Sequence, residues 1–250
     1  MKQAAALTRL RNLRTAHASL AADTLYMNRS ALCYAALALA VTATLVPSPA
    51  RAVSTANETY AAALRLRPHT EHGAQLFELC TACHGADGAG SADGSVPAIA
   101  GQYVPVLIKQ LIEFRSDSRH SIRVQGFLSH HRLAPQDLAD VAAYVSSLAP
   151  RQPPDSLQAP HSQHAADLFQ NHCAGCHGPQ AEGNSSARVP RLAGQHSEYL
   201  IRQMRDAAEG ARPSMNGDHS RLLAQLSVDD LSTVSEYLAA IRPMPRTPPE

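Results

Sequence analysis

The stretch Cys80-Thr-Ala-Cys83-His84-Gly85 decides the fold, because it returns 93 residues later as Cys173-Ala-Gly-Cys176-His177-Gly178. The same offset pairs many other identical residues without a gap, which indicates two copies of one structural unit. The further pairs are Val96-Pro97 with Val189-Pro190, Ala100-Gly101-Gln102 with Ala193-Gly194-Gln195, Leu107-Ile108 with Leu200-Ile201, and Asp137-Leu138 with Asp230-Leu231.

Each copy carries Cys-x-x-Cys-His, the signature of c-type haem attachment. Two thiols three residues apart at a helix end can bond both vinyl groups of one haem, which brings the adjacent His under the iron. A redox dithiol does not need that His, and a zinc ribbon places its Cys pairs much closer together. We therefore expect two covalent c-type haems. The predicted thioether residues are Cys80, Cys83, Cys173 and Cys176, and the predicted iron ligands next to them are His84 and His177.

The periodicity predicts an all-α fold of two tandem haem domains. Apolar residues at Leu138, Val141, Ala142 and Val145 have helical spacing, and no stretch alternates as a strand would. The chain has no Trp and only 4% aromatic residues, as expected if haem fills each core. The predicted divisions are a signal region 1–52, an extension 53–68, domains 69–148 and 161–242, a Pro-rich linker 149–160 and a tail 243–250.

The N-terminal region predicts export. Residues 30–46 are uncharged and mostly apolar, Arg29 precedes them, and Ala50-Arg51-Ala52 forms a cleavage site. Cleavage after Ala52 would release the chain to the periplasm, and Met27 is the expected start of translation. An uncleaved anchor in the inner membrane is the alternative, because these 17 residues nearly span a bilayer.

The order of motifs resembles the di-haem cytochromes c of the c4 type. The resemblance rests on Cys-x-x-Cys-His-Gly, the following Ala-Gly-Gln and a final Asp-Leu helix with a Tyr, and it covers residues 70–242. It implies two fused cytochrome c domains that carry electrons in the periplasm. It also implies that the carbonyls of Pro97 and Pro190 orient the iron-binding His rings.

The second ligand of each iron differs between the copies. In the second copy Met215 resembles the ligand Met of the family, in a polar loop after the middle helix. The gapless repeat places Ile122 at the same position of the first copy, and Ile cannot bind iron. His120, His130 and His131 are the candidates there, and a five-coordinate iron is the alternative.

The charge of the chain excludes one class of function and bears on the partners that the resemblance to electron carriers implies. The formal net charge of +1 excludes an obviously basic nucleic-acid binder. From Val53 onward, 16 Lys and Arg face 20 Asp and Glu, a formal charge of −4 that suits transient docking to basic redox proteins. The expected partners are redox proteins, membrane-bound respiratory complexes among them, with no small-molecule substrate. A peroxidase-like enzyme with an open first haem and a subunit of a membrane oxidase or dehydrogenase are the alternatives. Arg119 and Arg212, which also repeat, are expected to pair with haem carboxylates or in structural salt bridges.

Overall fold

The computed structural model describes residues 49–154 and 162–244. The expected start at Met27, the apolar stretch 30–46, the end of the linker and the last residues of the tail lie outside these ranges. Helices connected by loops make up the described chain, so the prediction of an all-α fold is confirmed. The only pairing of extended backbone in the described ranges is an isolated bridge between Asn184 and Val189.

The described ranges contain helices in both repeats, which we number in chain order. They are α1 Pro49–Arg65, α2 Thr70–His84, α3 Val104–Arg115, α4 Ile122–His130, α5 Pro135–Ser147, α6 Gln163–His172, α7 Ala174–His177, α8 Ser197–Ala208, α9 Gly217–Ala224 and α10 Val228–Ala240. By their backbone contacts, the described residues from Val53 onward form one compact unit. None of the described helices is long and apolar enough to span a membrane.

Each repeat has its own apolar core. In the first, Phe77, Ile108 and Leu138 bring α2, α3 and α5 together. In the second, Phe169, Val234 and Leu238 bring α6 and α10 together in the same way, and a smaller cluster lies under α8 and α9. Burial of side chains of this size stabilises each core by about 2 kcal/mol per residue.

Helices α2 and α5 approach closely around a buried carboxylate. A Cβ at Gly73 would lie 2.1 Å from the backbone oxygen of Asp140, so only glycine fits at this crossing. The Asp140 carboxylate accepts hydrogen bonds from the His69 amide at 2.7 Å and from Gln136 Nε2 at 2.7 Å, and it pairs with His72 Nδ1 at 2.8 Å. Burial alone would raise the pKa of Asp140, but these bonds hold it below its usual value.

The described ranges contain three helices that the sequence does not predict, namely α1, α4 and α9. Residues 53–68 had been expected only as an extension, but α1 contributes the buried Ala63 to the first core, with Tyr60 packed beside it. Helices α4 and α9 occupy the segments between the middle and last helices, where only a loop was expected. Helix α9 therefore begins directly after Met215 and carries residues that the sequence reading left unassigned.

Candidate functional site

The four predicted attachment thiols lie at the ends of two equivalent helical segments. In the first repeat α2 runs without a break through Cys80 and Cys83. In the second, the helix is interrupted at Cys173, and α7 carries Cys176. None of the four forms a disulfide, so all four remain available for thioether bonds. Burial and the neighbouring thiol raise the pKa of Cys80 and of Cys173 to about 11.

The two His rings that follow the thiols are held in the same way. His84 Nδ1 lies 3.1 Å from the carbonyl oxygen of Pro97, and His177 Nδ1 lies 3.0 Å from that of Pro190. A carbonyl only accepts, so Nδ1 donates the proton and Nε2 is left available for a metal. Burial lowers the pKa of both His rings, which favours the neutral, metal-binding form.

A glycine shapes the loop that brings each proline carbonyl to its His. The amide of Gly90 donates to the His84 carbonyl at 2.9 Å, and that of Gly183 donates to the His177 carbonyl at 2.7 Å. Both glycines have positive φ, and a Cβ on Gly183 would lie 2.6 Å from the Pro190 carbonyl carbon. A side chain there would push the carbonyl away from the His ring.

Two glutamines join the repeats through reciprocal hydrogen bonds. Gln195 of the second repeat accepts from the Ala98 amide at 2.9 Å and donates to the Ala98 carbonyl at 2.7 Å. Gln102 of the first repeat forms the same pair with Arg191, at 3.1 and 3.0 Å. Gln102 and Gln195 are partners at the offset of 93, and so are Ala98 and Arg191. The contact therefore has approximate two-fold symmetry within one chain.

A second reciprocal pair extends this contact. Tyr103 Oη donates to the Glu182 carbonyl at 2.9 Å, and His196 Nε2 lies 2.8 Å from the Ala89 carbonyl. These residues are again partners at the offset of 93. The repeats are thus held in one defined arrangement, which fixes the relative positions of the two attachment sites.

The repeated arginines Arg119 and Arg212 lie close together near this contact. Arg119 is buried, and its Nη2 donates to Tyr199 Oη and, at 2.5 Å, to Gln203 Oε1. Burial and the charge of Arg119 lower the pKa of Arg212 to about 10. Arg119 Nη1 and Arg212 Nε are buried without an acceptor. Two guanidinium groups with unused donors fit an anionic group such as a haem carboxylate.

The predicted second ligands occupy different surroundings from one another. His120, His130 and His131 are exposed; His120 pairs with Asp117 at 3.3 Å, and His131 stacks on the Phe127 ring. All three therefore lie at the surface of the first repeat, whereas His84 is half-buried. Met215 packs against the small apolar cluster under α8 and α9.

His219 on α9 is a residue that the sequence reading missed. Its ring centre lies 6.2 Å from that of His177. Its Nδ1 is buried without a hydrogen-bond partner, and burial together with the charge of Arg212 lowers its pKa. In the sequence, His219 stands out only as a His one helical turn after Met215, and the first copy has Gly126 at the equivalent position.

Comparisons with known proteins agree with this geometry. The family model described as "Cytochrome c" matches residues 70–149 and again 162–241. Cytochrome c4 of Azotobacter vinelandii is 34% identical over 181 residues, which is 65% of this chain and 84% of that protein. The crystal structure of reduced recombinant cytochrome c4 from Pseudomonas stutzeri matches with a TM-score of 0.61 and 30% identity, over 70% of this chain and all of that one.

A third relative bears a different name. The thiosulfate dehydrogenase electron acceptor of Stutzerimonas stutzeri is 29% identical over 187 residues, covering 69% of this chain and 84% of that protein.

Two helical units, each with its own haem-attachment motif, define a di-haem c-type cytochrome. The chain belongs to the cytochrome c family, as a member of the cytochrome c4 type with two tandem cytochrome c domains. The predicted fold class is confirmed, and so is the prediction of two covalently bound c-type haems.

Proposed function

We propose that the chain is a periplasmic electron carrier that receives and delivers electrons through its two haems. The reciprocal contact through Gln102 and Gln195 is the observation that carries this proposal, because it holds two haem sites in one fixed arrangement. A bound haem supplies a reversible one-electron couple of its iron. The protein's part is to attach each haem, to orient its His ligand and to keep the two sites together.

Named residues perform these tasks in each repeat. We assign haem attachment to Cys80 and Cys83 and iron binding to His84, with the Pro97 carbonyl fixing the His ring. In the second repeat the equivalent residues are Cys173, Cys176, His177 and Pro190. Arg119 and Arg212 supply the donors for haem carboxylates.

The proposed partners are redox proteins, with membrane-bound respiratory complexes as the class to test first. The relatives named as thiosulfate dehydrogenase electron acceptors support a role as acceptor from a periplasmic oxidoreductase. A part of a cbb3-type oxidase subunit of Sinorhizobium medicae, 33% identical over 92 residues, supports oxidases as delivery sites. The formal charge of −4 from Val53 onward favours partners with basic docking surfaces.

Spectroelectrochemical titration of the purified holoprotein tests the proposal. We expect each haem to take up and release one electron reversibly, and the oxidised spectrum to return unchanged after a full cycle. A haem that cannot be re-oxidised, or a spectrum that changes irreversibly over one cycle, would contradict electron carriage.

A second candidate function concerns the first haem alone. The exposed positions of His120, His130 and His131 favour an iron that can bind an external ligand such as peroxide. Addition of peroxide to the reduced protein distinguishes the two functions. Sustained turnover with an electron donor would support catalysis, whereas simple oxidation of both haems at the same slow rate supports a carrier.

A further inference from the structure

The rings of His219 and His177 are neighbours in the second repeat. Their ring centres are 6.2 Å apart, with the ring planes inclined at 54°. His177 Nδ1 is held by the Pro190 carbonyl, so its free nitrogen is Nε2. His219 comes from a different helix, α9, and reaches the same site from elsewhere in the repeat.

The separation of these rings suits two ligands on one metal. An imidazole nitrogen binds a metal ion at about 2 Å, so two rings on opposite sides of one ion have centres roughly 6 Å apart. Packed aromatic rings also have centres about 4.5–7 Å apart, so this separation supports a shared metal only together with a second observation. His219 Nδ1 is moreover buried with no hydrogen-bond partner, which is costly for a polar atom that has no ligand to bind.

We propose that His219 is the second axial ligand of the haem iron in the second repeat, opposite His177. This proposal rests on the assignment of His177 as the first ligand. It gives that iron two imidazole ligands in place of the His and Met pair that the sequence predicts.

Met215 has a different role in this arrangement. Its side chain packs against the cluster of Ala207, Leu223 and Leu231 under α8 and α9. The next residue, Asn216, begins α9 by accepting a hydrogen bond from the Asp218 amide at 2.8 Å. Met215 therefore lies directly before the helix that carries His219, with its side chain in this cluster.

The first repeat has no side chain to match His219. The offset of 93 residues pairs His219 with Gly126, which lies in α4 as His219 lies in α9. A Cβ placed on Gly126 would meet no atom within 4 Å. The two repeats therefore differ at this position, where α9 carries His219 and α4 carries Gly126.

Spectroscopy of the fully oxidised holoprotein tests the assignment. Low-temperature EPR reports a low-spin iron with two imidazole ligands, and near-infrared magnetic circular dichroism reports the charge-transfer band of an iron–thioether bond. We expect the two-imidazole signal in the parent and no thioether band. Met215→Leu should leave both spectra unchanged, whereas His219→Met should replace the two-imidazole signal with a thioether band.

His219→Ala provides the second arm of the test. It should lose the two-imidazole signal of one haem, and added imidazole should restore it. A thioether band in the parent that Met215→Leu removes would overturn the proposal, and so would a low-spin signal that survives unchanged in His219→Ala. If the His219 variants fail to fold, the spectra of the parent and of Met215→Leu still test the proposal, because it requires that neither protein has a thioether band. Reversible cycling in the titration is independent of ligand type, so failure here leaves electron carriage standing.

Discussion

Removal of the reciprocal glutamine hydrogen bonds should lower the free energy of unfolding and weaken the coupling between the two repeats. In Gln195→Ala the amide and carbonyl of Ala98 both lose their partner, at 2.9 and 2.7 Å in the parent. Gln195 Oε1 also accepts from the His196 amide at 2.9 Å, so three bonds are lost. A net loss of about 1 kcal/mol per hydrogen bond gives a destabilisation of about 3 kcal/mol. Gln102→Ala breaks the equivalent pair on Arg191 and the bond from the Tyr103 amide, and it should cost about the same. The double variant should therefore lose about 6 kcal/mol if the two sites act independently.

Guanidinium unfolding of the holoprotein, followed by far-ultraviolet circular dichroism, measures this effect. We expect lower midpoints in both single variants and the lowest midpoint in the double variant, which keeps the bonds of Tyr103 and His196 between the repeats. Gln163→Ala is the matched control, since its amide bonds only Asp167 within the same exposed helix. If both interface variants unfold within about 0.5 kcal/mol of this control, the contact does not couple the repeats.

Substitutions at three other positions have outcomes set by local geometry. Gly183→Ala should destabilise the holoprotein by about 3 kcal/mol in thermal unfolding, because strain at positive φ adds to the clash of a Cβ 2.6 Å from the Pro190 carbonyl carbon. The control Gly210→Ala has positive φ but open space around the Cβ, so it should cost only about 1 kcal/mol. Equal losses in the two variants would reject the steric reason. Asp140→Asn should lower the free energy of unfolding by about 2 kcal/mol at pH 7. Since the folded-state pKa of Asp140 is depressed, its contribution is present above the unfolded pKa of about 4 and is lost as pH falls through the folded pKa, so the difference between variant and parent should shrink in acid and not stay constant. Gly126→His should give the first haem a two-imidazole EPR signal, whereas an unchanged spectrum would show that α4 does not present position 126 as α9 presents its His.

The repeat itself explains why much of the fold could be predicted. An offset that pairs Gly101-Gln102 with Gly194-Gln195 marks positions that both copies need. The structure uses these positions at the contact between the repeats, where each glutamine bonds the backbone of the other copy. The Cys-x-x-Cys-His motif likewise has a fixed spacing because one haem must be reached by three side chains.

The repeat did not indicate His219, whose ring lies beside that of His177 in the structure. His219 has Gly126 as its counterpart, so a search for shared residues passes over it. Met215 is the predicted ligand because thioether ligands are common in this family. The structure instead places the ring of His219 beside His177 and packs Met215 in an apolar cluster. Helix α1 could not be predicted because its place in the fold depends on contacts of Ala63 with the core of the first repeat.

Delivery of electrons to a partner tests the central claim most directly. The holoprotein, reduced and freed of excess reductant, is mixed with bacterial respiratory membranes under oxygen, and haem absorbance is followed by stopped flow. We expect both haems to be oxidised rapidly, two electrons per protein, with a rate that falls as salt screens the docking charges. Haems that stay reduced with these membranes, in a protein that instead turns over peroxide or thiosulfate, would contradict the account.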